Sequence, residues 1–228
     1  MRDRQHHQGR TLPENPIAAV LFDLDGTLAD TIGLILSCYR HTMKTHLGSA
    51  PPDAEWIRGM GTPLRVQLAA FARSTEQVEA MVETYVTLQQ QIHDEMVRAY
   101  DGIPELLAAL EAAGVPMALV TSRRIEMTRR TLASCDFTRH FDVIVTPDEV
   151  THAKPHPEPV LLALEQLGAP PPERTLFVGD SPHDIEAGRA AGVRTVAALW
   201  GPFERATVLA ARPDYVIEHP LELLDIRP

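Results

Sequence analysis

Cysteine is nearly absent from this sequence: only Cys38 and Cys135 occur. Two thiols cannot build a disulfide framework, and no Cys-x-x-Cys spacing offers a zinc site. A reducing, cytoplasmic compartment is therefore expected. Positive charge is also in short supply, with 21 Lys and Arg against 31 Asp and Glu and a net charge of -10. A chain of this balance cannot neutralise a long run of phosphates, which excludes a nucleic-acid partner. Long apolar runs are missing too. The clean run nearest the N-terminus, residues 17–22, is one strand long. That falls far short of the roughly 18–20 residues that cross a bilayer, and no membrane association is expected. Residues 1–15 hold Arg2, Arg4, His6, His7 and Arg10 and lack the apolar stretch of a signal peptide. They are expected to form a flexible tail with solvated histidines.

What is present is an ordinary globular composition, 44% hydrophobic and 23% charged over 228 residues. That length suits one large domain or a core with a smaller insert. Short apolar runs at 17–22, 116–121, 142–146, 175–178, 194–199 and 214–217 read as buried parallel strands. Helical patterns fall between them at 104–113, 125–134, 157–167 and 184–191. Pro104 opens the first of these, while Gly114, Gly168 and Gly192 stand where C-terminal caps belong. Strand and helix alternation of this kind predicts an α/β fold: a three-layer, Rossmann-like parallel sheet core covered on both faces.

Residues 31–99 break the alternation. Ile32, Ile35, Leu36, Tyr39, Met43 and Leu47 recur at helical spacing, as do Val78, Met81, Val82, Tyr85, Leu88 and Ile92. A shorter apolar face comprises Val66, Leu68, Ala69 and Phe71. No strand pattern is evident, so an inserted all-helical cap subdomain is expected over 31–99, with the core formed by 16–30 and 100–228.

Ligands bind at the C-terminal ends of the strands in open parallel sheets. The predicted strands deliver Asp23 and Asp25, Thr121 and Ser122, and Asp180 to that edge, with Asp184 one turn on and Lys154 on a later loop. Four carboxylates at one edge repel each other unless something compensates. A hard divalent cation with oxygen ligands, most simply Mg²⁺, meets that need.

These residues also carry a resemblance. Asp-Leu-Asp-Gly-Thr-Leu at 23–28, Leu-Val-Thr-Ser at 119–122, Lys154-Pro155 and Gly-Asp-Ser-Pro-His-Asp-Ile at 179–185 stand in order. The chain resembles the haloacid dehalogenase superfamily over about residues 17–224, in the branch with a helical cap after the first strand. Its phosphatase members include phosphoglycolate phosphatases and related inorganic pyrophosphatases. The resemblance implies that Asp23 attacks phosphorus and forms an aspartyl-phosphate, and that Asp25 protonates the leaving oxygen and then activates water. It implies a Mg²⁺ held by the carboxylates of Asp23 and Asp180 and the backbone carbonyl of Asp25. Thr121 and Ser122 would bind phosphoryl oxygens. Lys154 would neutralise charge on Asp23 and on the phosphoryl group, and Asp184 would hold Lys154 or metal-bound water.

Asp25 favours a phosphate ester or anhydride, because dehalogenases and phosphonate hydrolases similar to this family have no carboxylate there. The expectation is a phosphatase for a small phosphorylated metabolite, of the phosphoglycolate type, or for pyrophosphate, acting as a monomer or homodimer. A sugar phosphomutase and a non-catalytic phosphate-binding regulatory module stay open as alternatives. Cap segment 58–65 supplies Arg58, Thr62 and Arg65 as candidate specificity groups, and Arg123 is a further one.

Overall fold

Strand β1, Ala19–Phe22, lies at the centre of the molecule with all four residues buried. The computed structural model describes residues 17–228, so the tail expected over 1–15 lies outside the described residues. Strands β4 (Met117–Val120) and β6 (Thr175–Gly179) pair with β1 on either side, both in parallel. Beyond them lie β5 (Val143–Val145), β7 (Arg194–Ala198) and β8 (Tyr215–Ile217), giving a six-stranded parallel sheet of order β5-β4-β1-β6-β7-β8. The chain runs outward from β1 through β4 to β5, then returns to the other side of β1 for β6. That reversal opens a crevice at the C-terminal ends of β1, β4 and β6.

Side-chain alternation explains why both faces are covered. Val20, Phe22, Leu119 and Val178 point into one hydrophobic cluster with Leu106, Leu107 and Leu110 of α5 (Ile103–Ala112). Leu21, Ala118, Val120 and Phe177 point into another with Val160, Ala163 and Leu164 of α7 (Glu158–Gln166). Successive strand residues face opposite ways, so apolar runs without alternation require helices above and below. Helices α6 (Ile125–Ser134) and α8 (Pro182–Ala191) complete the crossovers around the site, and α9 (Arg205–Ala210) lies before β8.

Four helices are inserted after the first strand: α1 (Ile32–Leu47), α2 (Asp53–Ile57), α3 (Leu64–Ala69) and α4 (Thr75–Met96). Their centre is aromatic. Tyr39 stacks on Trp56 at 4.7 Å, and Trp56 on Tyr85 at 5.9 Å. The insertion differs from expectation at its base. Strands β2 (Ala29–Asp30) and β3 (Arg98–Ala99) pair antiparallel where the chain leaves and re-enters the core. The second of these falls inside the stretch read as wholly helical; a strand of two residues is too short to show a period. Of the short apolar face over 66–71, Leu68 is buried while Val66 is 59% exposed. No helix among the described residues is long and apolar enough to cross a membrane.

Candidate active site

Strand β1 ends in Asp23, whose backbone N–H still donates to the Val178 carbonyl at 2.9 Å. This last ladder bond fixes the carboxylate at the crevice, where the residue is only 6% exposed. The chain then turns back sharply. Gly26 takes φ +85°, and a Cβ on it would lie 2.6 Å from Asp180 Oδ2. Glycine is required here both for the left-handed backbone and for the close approach. Gly201 presses from the other side, where a Cβ would lie 2.5 Å from the same oxygen.

Lys154 stands between two acids. Its Nζ donates to Asp23 Oδ1 and to Asp184 Oδ1, each at 2.6 Å, and to the Val120 carbonyl at 3.2 Å. The ammonium is buried, which alone would lower its proton affinity, but the two carboxylates outweigh burial and push its pKa up. Asp184 has a second task. Its Oδ2 accepts from the Ser181 amide at 3.1 Å and the Ser181 hydroxyl at 2.6 Å, closing a capping box at the start of α8. The helix terminus therefore orients the carboxylate that holds Lys154.

Asp23, Asp180 and Asp184 bring carboxylate oxygens within 4.8 Å of one another, all buried. Burial, followed by the neighbouring Asp184 and Asp25 charges, raises the Asp23 pKa to about 7 against the opposing pull of Lys154. Asp180 is raised as well, by burial and then by Asp23 and Asp184. Both oxygens of Asp184 are occupied. Lys154 takes Oδ1 of Asp23, and the Thr27 hydroxyl donates to Oδ1 of Asp180 at 2.9 Å. The second oxygens of Asp23 and Asp180 remain as donors to a cation. An oxygen-only set under charge repulsion fits Mg²⁺.

Asp25 sits apart from that cluster, in an ion pair that the sequence did not reveal. Arg123 donates through Nε to Asp25 Oδ2 at 2.9 Å and through a terminal nitrogen to Oδ1 at 2.5 Å. The Thr31 hydroxyl adds a bond at 2.6 Å. Burial alone would raise the Asp25 carboxyl, but the Arg123 guanidinium and the hydrogen bonds prevail and lower it. Another terminal nitrogen of Arg123 is buried without a hydrogen-bond partner.

Thr121 follows β4, and its hydroxyl accepts from the Arg123 amide at 3.1 Å. The Ser122 hydroxyl donates at 2.5 Å to the carbonyl of Gly61, joining the core to the inserted helices. Thr62 lines the cleft above Asp23 and bonds the Gly59 carbonyl at 2.7 Å. Arg65 lines the cleft but pairs with Glu79. Arg58 is exposed and is not part of the cleft wall. Sequence reasoning also missed Thr27 and Thr31, since hydroxyl contacts to distant carboxylates leave no pattern along the chain.

A parallel sheet of this order, with three buried acids gathered around a buried lysine at its switch point, is a fold of the haloacid dehalogenase type. The profile of the haloacid dehalogenase-like hydrolases matches residues 20–198, and the chain belongs to that family. It is 38% identical over 210 residues to pyrophosphatase PpaX of Bacillus mycoides, covering 92% of this chain and 96% of that protein. It is 37% identical over 217 residues to N-acetylmuramic acid 6-phosphate phosphatase of Pseudomonas aeruginosa, covering 92% and 94%. A haloacid dehalogenase-like hydrolase from Streptococcus pneumoniae superposes with a TM-score of 0.79 at 30% identity, covering 92% of this chain and 98% of that one. The chain is thus a hydrolase of the phosphatase and pyrophosphatase group.

Proposed function

We propose that this protein hydrolyses a small phosphate monoester or anhydride in two steps, with Mg²⁺ as cofactor and Asp23 as the phosphoryl carrier. The observation that carries the reading is the buried cluster of Asp23, Asp180 and Asp184 around Lys154. In the first step an Asp23 oxygen attacks phosphorus, the bond to the leaving oxygen breaks, and Asp25 gives that oxygen a proton. In the second, water attacks the same phosphorus while Asp25 takes its proton. The Asp23–phosphorus bond breaks, and inorganic phosphate leaves.

Each neighbour has a physical part. Lys154 pulls the Asp23 carboxyl toward its ionised form against burial and offsets charge on the phosphoryl oxygens as they move in line. Thr121 and the Ser122 amide, at the end of β4, orient those oxygens in this reading. Arg123 holds Asp25 ionised, the form that activates water. An arriving phosphate dianion acts in the opposite sense and raises the proton affinity of Asp25 for the first step. The carboxylates of Asp23 and Asp180 and the backbone carbonyl of Asp25 would hold the Mg²⁺. When bound, the ion neutralises carboxylate and phosphoryl charge so that the two anions can meet.

The inserted helices serve as a cap over the cleft, with 31–99 as the cap and 16–30 and 100–228 as the core. The pairing of β2 with β3, where the chain leaves and re-enters the core, supports this division. Relatives named for an anhydride and for an amino-sugar phosphate lie at similar identity, so overall similarity does not choose between them. Mg²⁺-dependent release of para-nitrophenol from its phosphate ester, lost with EDTA and with Asp23→Asn, tests the reading. Turnover that survives either treatment would refute it.

A further inference from the structure

The space above Asp23 is larger than a phosphoryl group needs, and little of its positive charge is free. The cavity measures about 620 Å³, within the range of pockets that enclose drug-sized ligands. Its wall includes the apolar side chains of Trp56, Met60, Leu64, Val66, Val82 and Val86, beside the amides of Gln67, Gln89 and Gln90. Val66 is the most exposed large hydrophobic side chain among the described residues, at 59%. Exposed apolar surface gathered around a concave site is where an organic ligand displaces water.

Three cations line this space, Arg65, Arg123 and Arg124. Each faces a carboxylate: Glu79, Asp25 and Asp148 in turn. Glu126 adds a further acid to the wall. The Arg65 and Arg124 pairs are exposed and individually weak, so bond strength is not what matters. What matters is the charge left behind. A second anionic group that took either guanidinium would leave Glu79 or Asp148 unpaired beside it, and like charges so placed repel. Arg123 offers one unpaired nitrogen, but its charge is already matched by Asp25.

We infer that the substrate is a phosphate monoester whose alcohol half is bulky and carries no second phosphate or carboxylate. That half lies along the apolar wall between α3 and α4 of the insertion and α6 of the core. The side-chain amide of Gln89, also on the wall, suits its neutral hydroxyl or amide groups. Pyrophosphate and phosphoglycolate leave most of the cavity unfilled and bring a second anion for which no arginine of the wall is free of a carboxylate partner. This inference rests on the phosphatase reading above.

The test ranks kcat/KM at saturating Mg²⁺ for pyrophosphate, phosphoglycolate, glycerol phosphate, a hexose phosphate, an N-acetylhexosamine phosphate and para-nitrophenyl phosphate. The bulky neutral esters should lead pyrophosphate by about tenfold or more, the scale of discrimination that apolar contacts provide. Val86→Trp should shrink that lead about tenfold by filling the cavity. Val66→Asn, at an exposed position that tolerates a polar side chain, should shrink it in the same direction by removing apolar wall without adding charge. Glu79→Gln, which frees Arg65, should raise the pyrophosphate rate relative to the bulky esters. Pyrophosphate or phosphoglycolate heading the ranking would overturn the inference, as would wall variants that fold and slow every substrate equally. An unchanged pyrophosphate share in Glu79→Gln counts against the charge argument. Loss of the phosphatase reading looks different: no phosphate compound would be turned over at all.

Discussion

Lys154 Nζ lies 2.6 Å from both Asp23 Oδ1 and Asp184 Oδ1, so a single ammonium holds two buried carboxylates that are 131 and 30 residues away in sequence. Chemistry and fold stability meet at this group. Lys154→Met would leave both acids buried and unpaired, which costs about 3–5 kcal/mol when a buried ion pair loses one partner. Urea unfolding of the metal-free protein measures that loss. Turnover should fall by about 100- to 1000-fold as phosphoryl charge loses its partner. Unchanged stability would show that the lysine is not the electrostatic centre of the site.

The contribution of Asp23 and Asp180 to metal-free stability, read as the difference in pH slope between wild type and Asp23→Asn, should fall as pH rises from about 4 to about 7. Asp23 and Asp180 hold protons more tightly in the folded chain than in the unfolded one. Across that window the folded state binds more protons at these groups, and their contribution declines with pH. Mg²⁺ competes with those protons. The rise in melting temperature on adding Mg²⁺ should therefore be larger at about pH 7.5 than at about pH 5.5. A Mg²⁺ effect that is flat or shrinks with pH would place the ion elsewhere.

Arg123→Met should move the basic limb of the kcat profile to higher pH. The guanidinium is the largest pull that lowers the Asp25 carboxyl against burial; without it, only the Thr31 hydroxyl and Lys154 oppose burial, and Asp25 stays protonated to higher pH. A basic limb that does not move would separate Asp25 from leaving-group protonation.

Gly61→Ala probes the junction between insertion and core. Gly61 has φ +91°, and an added Cβ would lie 2.9 Å from Ser181 Oγ and 3.0 Å from His183 Cδ2. Its carbonyl also accepts the Ser122 hydroxyl. Backbone strain and the clash together should destabilise by about 1–2 kcal/mol and raise KM several-fold, read from thermal unfolding and steady-state kinetics. Wild-type behaviour would show that the junction yields without consequence.

Much of this site is legible in the sequence because parallel sheets place strand ends at one edge. Apolar runs ending in Asp23, Thr121 and Gly179-Asp180 locate the crevice before any coordinates. Lys154 follows from its motif, and Asp184 from its spacing after Asp180. The Arg123–Asp25 pair is different in kind. It joins residues 98 apart in sequence, and an arginine after Thr-Ser does not declare which acid it will meet. The same holds for Thr27 on Asp180 and Thr31 on Asp25. Arg58 and Arg65 illustrate the converse. A loop arginine near a site can as easily face solvent or a neighbouring glutamate, and one does each. The strands at the base of the insertion were invisible because two residues show no alternation.

The central claim is that Asp23 carries the phosphoryl group. Its most direct test is chemical trapping. Asp25→Asn protein, in which water activation is slowed, is incubated with Mg²⁺ and para-nitrophenyl phosphate, quenched, reduced with borohydride and mapped by mass spectrometry. An acyl phosphate on Asp23 is reduced to homoserine at that position, and the account predicts this product at residue 23 alone, absent without Mg²⁺ or substrate. Homoserine at another aspartate, or wild-type turnover by Asp23→Asn, would contradict it.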